Sequence, residues 1–287
     1  MSRLNQSPRV AFQGERGAFS EEAAVKLLGE DVRLVPCPTF EKLFAAIGDG
    51  LADCALAPIE NSLAGSVQRT YDLLEEGCLH ITAEVIMRIT HNLIGCAGSS
   101  LENVTTVESH PVALAQCERF FTEHPHIKRL PTDDTAASVR RVVAAGDCSR
   151  AAIAGSRAAS IYHGAILRQH LEDHNENYTR FVLLKSAPVV SVQADKLSLV
   201  LRLADRPGAL HDALEPFARC GIDLLKIETR PIIGEPWQYR FYLDLQASLS
   251  DSEVVSVLAE LRSRADEVRL LGRYAAAPSE FNGAENH

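Results

Sequence analysis

The sequence predicts an α/β protein made of a larger, two-lobed unit and a smaller ferredoxin-like unit. Three observations lead to this fold class. Short apolar strands alternate with amphipathic helices over residues 8–187, which is the pattern of mostly parallel sheets covered by helices. The composition changes at residues 186–195. Residues 196–275 then follow the order βαββαβ, which is the ferredoxin-like arrangement.

The chain opens with a βαβαβ pattern. The predicted elements are a strand at 9–13, a helix from about residue 20, a strand at 32–35, a helix at 40–47 and a strand at 54–57. Ser20 and Thr39 are placed to cap the two helices, because a hydroxyl at that position accepts a hydrogen bond from a first-turn amide. Glu21 and Glu22 fall in the first turn, where the helix dipole favours acidic side chains.

A second set of elements predicts a second lobe. Its strands are expected at 81–89, 93–96, 105–108, 127–130 and 151–154, and its helices at 111–123, 135–145 and 156–171. These are too many strands for one compact sheet, and no linker divides them. We therefore expect the chain to leave the first lobe near residue 88 and to return near residue 175, which places Thr179 at the hinge.

The C-terminal unit has clear start and stop signals. Strands are predicted at 197–203, 222–228, 238–245 and 268–271, and a helix at 209–220. Ser250 and Glu253 form a capping box for a second helix. The apolar side of that helix carries Val254, Val257, Leu258 and Leu261.

Composition excludes several classes of function. The chain has 287 residues and a net charge of −9, which argues against nucleic acid as a partner. No apolar run is long enough to span a membrane, and residues 1–8 lack the apolar core of a signal peptide. The seven cysteines are scattered singly, so we expect reduced thiols in a cytoplasmic protein rather than disulfides or a zinc site.

Four segments place polar groups at predicted strand ends, where α/β sheets open onto crevices. They are residues 14–20, 58–65, 109–117 and 175–181. The glycines of the first segment permit a tight turn, and the free amides of the following helix start suit a carboxylate or a phosphate. Taken alone, 58–65 is better explained as a capped turn, and 175–181 is equally well explained as a polar loop before a strand.

The third segment suggests a wall for an acidic ligand. Ser109 is placed as an N-cap, Pro111 fits the first helical turn, and Gln116 lies about two turns later on the same face as Ser109. No serine, cysteine or lysine has an activating context. His170 and His174 are spaced for one helical face, but the glutamate has the wrong offset for a zinc-protease helix. We therefore predict a site of neutral donors for a small acidic molecule, without a metal.

In this order, the four segments and residues 151–159 resemble the prephenate dehydratase family over nearly the whole chain. The segments 205–210 and 228–231 resemble the regulatory ACT domain of that family. Val112, Gly155 and Thr229 depart from the usual pattern. The resemblance implies a two-lobed catalytic domain with a periplasmic-binding-protein-like fold at 8–187 and an ACT domain at 196–275.

The implied reaction is the decarboxylating dehydration of prephenate to phenylpyruvate in phenylalanine biosynthesis, without a metal or an organic cofactor. By resemblance, Thr179 donates a proton to the departing hydroxide, and Asn61, Ser109 and Gln116 hold the carboxylates and the ring hydroxyl. The remaining substrate-binding residues implied by the resemblance are Gly17, Ala18, Phe19, Glu60, Ser62, Arg180 and Phe181.

The resemblance also implies regulation by phenylalanine, bound between two ACT domains of a homodimer or homotetramer. The residues implied for this effector site are Asp205, Pro207, Gly208, Ala209, Leu210, Glu228, Thr229 and Arg230. Two other functions stay open. One is an arogenate dehydratase, which acts on the amino analogue of prephenate. The other is a two-lobed amino-acid sensor without catalysis, although a sensor would not require Thr179, Arg180 and Phe181 at the hinge.

Overall fold

The structure is a computed structural model that describes residues 7–77, 79–189, 193–246 and 250–278. Residues 1–6, which belong to the predicted polar N-terminus, and Cys78, one of the seven cysteines, lie outside these ranges. The chain divides into two compact units. The first holds most described residues up to 183, and the second combines residues 79–84 with the described residues between 184 and 277.

The first unit contains two sheets. The elements up to the first crossing are β1 (Arg9–Gln13), α1 (Phe19–Leu28), β2 (Arg33–Cys37), α2 (Phe40–Gly48), β3 (Cys54–Asn61), β4 (Gly65–Ser66), α3 (Gln68–Glu76) and β5 (His80–Arg88). The next elements are β6 (Asn92–Gly95), β7 (Thr106–Ser109), α4 (Pro111–Ala115), α5 (Glu118–Glu123), β8 (Lys128–Pro131), α6 (Thr135–Ala145), β9 (Arg150–Ala154), α7 (Ser156–Tyr162) and β10 (Ala165–Arg168). The chain then returns as β11 (Tyr178–Lys185).

The strand order confirms the two-lobed α/β prediction. The first sheet has the order β2-β1-β3-β11-β5, with β4 beside β3, and the second has the order β10-β6-β9-β7-β8. β1 pairs in parallel with β2 and β3, and β7 pairs in parallel with β8 and β9. Since β11 returns to the first sheet between β3 and β5 after the second sheet is complete, residues 175–181 lie where the chain re-enters the first lobe.

Two predicted caps are wrong. Helix α1 begins one residue before Ser20, its N-cap is Ala18, and no side chain caps it. Ser109 ends strand β7, and the cap of α4 is His110, whose Nδ1 accepts a hydrogen bond from the amide of Val112. Thr39 does cap α2, as predicted, through the amide of Lys42.

Two predicted helices are shorter than expected. The helix at 111–123 is two helices, α4 and α5, separated at Gln116 and Cys117. The helix predicted to run to residue 171 ends at Tyr162, because His163 adopts a left-handed φ of 58°. A Cβ on the next residue, Gly164, would approach Ile94 to 2.5 Å, so the glycine permits close packing before β10 pairs with β6.

The second unit has the predicted βαββαβ order. Its elements are β12 (Lys196–Arg202), α8 (Ala209–Arg219), β13 (Asp223–Pro231), β14 (Tyr239–Gln246), α9 (Asp251–Arg264) and β15 (Glu267–Tyr274). The antiparallel sheet has the order β13-β14-β12-β15. Alternate residues of β12 and the predicted apolar side of α9 share one buried core, and the Ser250–Glu253 capping box is present.

Within the described residues, no helix combines the length and the apolar character that crossing a bilayer requires.

Candidate active site

A cavity of about 410 Å³ lies in the first unit. Thr179 and Phe181 of β11, Asn61 of β3 and Gln116 at the end of α4 contribute to its wall. Strands of the first sheet and the α4 segment that follows β7 of the second sheet therefore both supply side chains to it, as the two-lobed prediction requires. A large share of the wall is apolar: Ala18, Phe19, Phe40, Pro58, Val67, Ile89, Val112, Ala113 and Phe181.

The orientation of the Asn61 side chain is set by the turn that follows β3. Its Oδ1 accepts hydrogen bonds from the amides of Leu63 at 3.1 Å and Ala64 at 2.8 Å. Backbone N–H groups can only donate, so the atom they meet must be the amide oxygen. The Nδ2 group of Asn61 consequently points the other way, toward β11.

The Nδ2 group of Asn61 meets three acceptors of the returning chain. They are Asn177 Oδ1 at 2.8 Å, the Tyr178 carbonyl at 3.0 Å and Thr179 Oγ1 at 2.9 Å. Thr179 thus accepts a hydrogen bond from Asn61, which leaves its own O–H to donate. Within the described residues it has no acceptor for that proton, and its side chain lies on the cavity wall. The Thr179 hydroxyl is therefore available to donate a hydrogen bond to a molecule in the cavity.

Gln116 joins the same network from the other lobe. Its Oε1 accepts a hydrogen bond of 3.0 Å from Asn177 Nδ2, and its Nε2 lies 3.4 Å from Asn61 Oδ1. His91 Nε2 lies 2.9 Å from the same Gln116 Oε1. Asn177 and His91 are fully or almost fully buried and were not singled out from the sequence. Asn177 stood in the highlighted segment 175–181, whereas no sequence signal distinguished His91.

The segment before α1 forms another part of the wall. Ala18 and Phe19 line the cavity, but Gly17 does not. The amide of Gly17 donates a 2.9 Å hydrogen bond to the buried Glu21 carboxylate, so it is not available to a ligand. Gly17 has a φ of 88°, and a Cβ there would lie 2.8 Å from the Ala158 backbone, so only glycine fits. Phe19 and Ser20, in the first turn, offer the amides that a helix start leaves without intrahelical partners.

Besides Gly17, four of the sequence-derived candidates do not line the cavity. Ser109 is fully buried, and its Oγ donates a 2.6 Å hydrogen bond to the Ile153 carbonyl. Ser62 Oγ donates to the Glu176 carbonyl and accepts from the Tyr178 amide, so it fastens the loop that precedes Thr179.

Glu60 and Arg180 are the other two, and they form an ion pair at 3.6 Å between β3 and β11. Arg180 alternates with the cavity residues Thr179 and Phe181 along β11, so its side chain points to the opposite face of the sheet. This alternation corrects the expectation that Arg180 contacts the substrate directly.

Burial shifts two pKa values at the cavity. The pKa of His91 is lowered, mainly because burial disfavours the charged ring. The pKa of Asp134 is raised, again mainly by burial, although its carboxylate also caps α6 by accepting from the Ala137 amide. Asp133 and Asp134 both lie on the wall and were not predicted. No lysine or arginine belongs to the lining within the part of the chain that the structure describes.

The candidate effector residues lie in the second unit. Gly208 has a left-handed φ of 83° and is the N-cap of α8, which begins at Ala209 and Leu210. Asp205 and Pro207 lie in the exposed loop before it. Glu228, Thr229 and Arg230 follow one another on β13, so Thr229 faces the side opposite to its two neighbours.

Comparison with known proteins decides the family. A family model described as prephenate dehydratase matches residues 10–189, and an ACT domain model matches residues 197–263. The chain belongs to the prephenate dehydratase family. It thus joins a family of carbon–oxygen lyases and carries the ACT domain at its C-terminus.

Several named proteins are similar to this prephenate dehydratase family member over most of its length. Arogenate dehydratase/prephenate dehydratase 2 of Arabidopsis thaliana is 39% identical over 277 residues, which cover 93% of this chain and 72% of the relative. The structure of the Arthrobacter aurescens prephenate dehydratase in complex with L-Phe is 32% identical, with a TM-score of 0.85 over 93% of this chain and 90% of that chain. GqqA, described as a novel type of quorum quenching acylase, is 32% identical, with a TM-score of 0.85 over 94% of this chain and 98% of that chain.

Proposed function

We propose that the cavity catalyses the decarboxylating dehydration of prephenate to phenylpyruvate, as a step of phenylalanine biosynthesis. The observation that carries this proposal is the hydrogen bond from Asn61 Nδ2 to Thr179 Oγ1, which leaves the Thr179 proton directed at the cavity. The reaction needs a proton donor for a departing hydroxide and little other acid–base apparatus. Domain limits of 8–187 for catalysis and 196–275 for regulation are part of the same proposal.

The proposed chemistry is one concerted loss of two groups from the cyclohexadiene ring. The bond from the ring to its carboxylate breaks, CO2 leaves, and the electron pair enters the ring. At the opposite carbon of the ring, the C–O bond to the hydroxyl breaks. The departing oxygen takes the proton of Thr179 and leaves as water. Aromatisation supplies the driving force, and solvent returns the proton to Thr179.

Asn61 supports the proton transfer. As the Thr179 proton leaves, negative charge grows on Oγ1, where the Asn61 Nδ2–H group is already placed at 2.9 Å. A donor held in advance at the atom where charge develops stabilises the transition state without reorganisation. Gln116 extends this surface, because its Nε2 group lies beside Asn61 and on the cavity wall.

The apolar wall favours loss of the carboxylate. Phe19, Phe40, Ile89 and Phe181 surround part of the cavity, and the lining within the described ranges brings no lysine or arginine to hold a ring carboxylate as an anion. A carboxylate loses its charge when its electron pair passes into the ring and neutral CO2 leaves, so a water-poor environment, which disfavours the charged form, favours this step. The second carboxylate of prephenate then has the Phe19 and Ser20 amides at the start of α1 as its donors. Ala18 contacts the substrate there. The other residues implied by the resemblance do not line the cavity and instead stabilise the segments that do: Gly17, Glu60, Ser62, Ser109 and Arg180.

We also propose that phenylalanine regulates the enzyme through the ACT domain. The Arthrobacter aurescens relative was solved in complex with L-Phe. In this chain, the left-handed Gly208 opens the backbone ahead of α8, so a carboxylate can approach the first amides of that helix. The effector would lie between two ACT domains, which requires a homodimer or a homotetramer. A cytoplasmic location completes the proposal, in keeping with six free thiols among the described residues.

Three alternative functions can be distinguished by their substrates and products. An arogenate dehydratase would keep the mechanism and change the substrate, and the named Arabidopsis relative carries both activities in its name. An amino-acid sensor would bind without turnover. An acylase, as GqqA is described, needs an activated nucleophile. At this cavity His91 Nε2 is occupied by Gln116, and Thr179 is hydrogen bonded to an amide rather than to a base.

One substrate panel separates these functions. Purified protein is incubated with prephenate, with arogenate and with an N-acyl amine, each with and without phenylalanine. Formation of phenylpyruvate that phenylalanine suppresses supports the proposal for both units. Faster turnover of arogenate would reassign the substrate, and release of free amine would favour the acylase. Binding of phenylalanine without any turnover would make the chain a sensor.

A further inference from the structure

We propose that His91 is a positioning residue, which holds Gln116 by donating from Nε2 so that the Gln116 amide nitrogen faces Asn61 and the cavity. This inference rests on the proposed function, since it concerns the same network. His91 lies between β5 and β6, is 2% exposed and belongs to the cavity lining. Its Nδ1 is buried and has no hydrogen-bond partner within the described residues.

The direction of every hydrogen bond in the network follows from two backbone amides. Leu63 and Ala64 donate to Asn61, which fixes its oxygen and therefore directs its Nδ2 group at Asn177. The Asn177 atom that meets a donor must be Oδ1, so the other end of that side chain is Nδ2 and donates. It donates to Gln116, whose facing atom must consequently be Oε1.

The last step fixes the tautomer of His91. Gln116 Oε1 can only accept, and His91 Nε2 lies 2.9 Å from it, so Nε2 carries a proton. In a neutral ring Nδ1 is then unprotonated, which agrees with its lack of an acceptor. Burial, which lowers the pKa of His91, keeps the ring neutral because a proton on Nδ1 would place an unpaired charge in the interior.

The ring itself has little freedom to turn. The main chain of His91 is held at both ends, because its amide donates to Glu172 Oε2 at 2.8 Å and its carbonyl accepts from the Leu171 amide at 2.9 Å. The edge of the ring packs against Phe19, with centroids 5.7 Å apart and planes at 78°. A ring fixed in this way favours one of the two amide orientations of Gln116. In the flipped orientation, the Gln116 NH2 group would face two other donors, His91 Nε2 and Asn177 Nδ2.

As a positioning residue, His91 has a function distinct from general acid–base catalysis. Its basic nitrogen, Nδ1, is not hydrogen bonded to a nucleophile, and its other nitrogen is committed to Gln116. His91 therefore acts through Gln116. Removing its donor would leave a flipped Gln116 opposed by one donor, Asn177 Nδ2, instead of two, so a larger share of the side chains would present an oxygen instead of an NH2 group to the substrate.

The tautomer can be tested without any turnover. In the ligand-free full-length protein, with histidine ¹⁵N-labelled, His91 is expected to show a protonated Nε2 and an unprotonated Nδ1 at neutral pH. His91→Gln supplies the assignment by loss of one spin system. A His91 signal with the proton on Nδ1, or with both nitrogens protonated at pH 7.5, would overturn the inference even if the enzyme is fully active.

Kinetics test the route through Gln116. His91→Phe keeps a packed ring against Phe19 but removes the donor, and it should lower kcat about 10-fold with a smaller change in KM, as expected for one lost hydrogen bond. His91→Gln can still offer an N–H group and should restore part of the rate. In a Gln116→Ala background, His91→Phe should have almost no further effect.

Two outcomes contradict the positioning role: an unchanged kcat in His91→Phe, or the same 10-fold loss with and without Gln116. Circular dichroism of each variant separates these results from a failure to fold. Wild-type protein that forms no phenylpyruvate would instead contradict the proposed function, and the tautomer measurement would still stand on its own.

Discussion

Asn61 and Thr179 are joined by a hydrogen bond of 2.9 Å in which the amide of Asn61 is the donor and the hydroxyl oxygen of Thr179 is the acceptor. The two residues are 118 positions apart in sequence, and they meet because β11 returns beside β3 in the first sheet. The direction of this bond decides what Thr179 can do. A hydroxyl that accepts from its protein neighbour keeps its proton for the ligand.

Changing one atom of Asn61 tests this direction. In Asn61→Asp, one carboxylate oxygen still accepts from Leu63 and Ala64, but the other faces the acceptors of Asn177 and Tyr178. The Thr179 proton would turn toward the new carboxylate and away from the cavity. We expect kcat to fall on the order of 100-fold, as for loss of a preorganised donor, and the free energy of unfolding to fall by about 1–3 kcal/mol.

The measurement is phenylpyruvate formation together with denaturant unfolding. Ser62→Ala is a matched control from the same turn, because Ser62 only fastens the 176–178 loop and does not line the cavity. It should cost stability with a much smaller loss of rate. An Asn61→Asp enzyme of normal kcat would show that the direction of the bond does not matter.

His91 gives the enzyme a defined dependence of stability on pH. Its pKa in the folded state is lowered by burial, against a smaller raising influence of Gln116 and Glu172. Below about pH 6.5 the unfolded chain therefore binds a proton that the folded chain does not, and stability falls as the pH falls. The slope from this group is at most about 1.4 kcal/mol per pH unit.

The comparison with His91→Gln isolates this contribution from the other histidines. Between pH 7.5 and 5.5, the wild type should lose more unfolding free energy than the variant, and above pH 7 the difference between them should be constant. Parallel curves through the whole range would mean that His91 titrates equally in the folded and unfolded states.

Gly208→Ala tests the effector site in the second unit. The left-handed φ of 83° at Gly208 makes alanine strained by about 1 kcal/mol, and the new methyl group stands where a ligand carboxylate would approach. We expect weaker inhibition by phenylalanine with kcat unchanged. Gly221→Ala is the control at the other end of α8, since Gly221 has a φ of 66° and a Cβ added there would have no atom within 4 Å among the described residues.

The two glycine variants should cost similar stability, while only Gly208→Ala should shift the phenylalanine concentration for half inhibition. Equal inhibition of both variants and of the wild type would place the effector elsewhere. Point variants are a sharper test than removal of residues 196–287, because residues 79–84 belong to the same compact unit as the ACT domain.

The Glu84–Lys196 ion pair shows how that unit depends on residues far away in sequence. The two side chains are 5% and 8% exposed, and Lys196 Nζ lies 3.0 Å from both carboxylate oxygens. Lys196→Met leaves the buried carboxylate without its cation and should destabilise the unit by about 3 kcal/mol. Chemical unfolding should show that Lys196→Met combined with Glu84→Gln recovers part of the loss. Equal stability of Lys196→Met and the wild type would contradict this account.

Much of the fold could be predicted from sequence because it depends on local signals. Thr39, Ser250 and Glu253 cap their helices as expected, and alternation along β12 gave the face that meets α9. The wrong predictions concern places where contacts between distant residues determine the secondary structure. The helix predicted to reach residue 171 ends at Tyr162, because the next residues pack closely enough against Ile94 for β10 to pair with β6.

The candidate site likewise contains residues that the sequence could identify and residues that it could not. Asn61, Gln116 and Thr179 could be found because they belong to short segments with a recognisable order, and all three meet at one cavity. Ser109 and Arg180 belong to the same segments, yet the strands direct their side chains away from the cavity. His91 was missed, and Asn177 was included only as part of the segment 175–181, because their roles come from hydrogen-bond directions between lobes, which no spacing along the chain encodes.

The most direct measurement is the rate of phenylpyruvate formation from prephenate by the wild type, Thr179→Ser and Thr179→Val. Serine retains a hydroxyl that can accept from Asn61 and donate to the substrate, whereas valine keeps the shape and removes the donor. We expect Thr179→Ser to retain substantial turnover and Thr179→Val to remain folded but lose about 10²–10⁴ in kcat, as expected for loss of a general acid. A folded Thr179→Val enzyme with the kcat of the wild type would contradict the assignment of Thr179 as the proton donor.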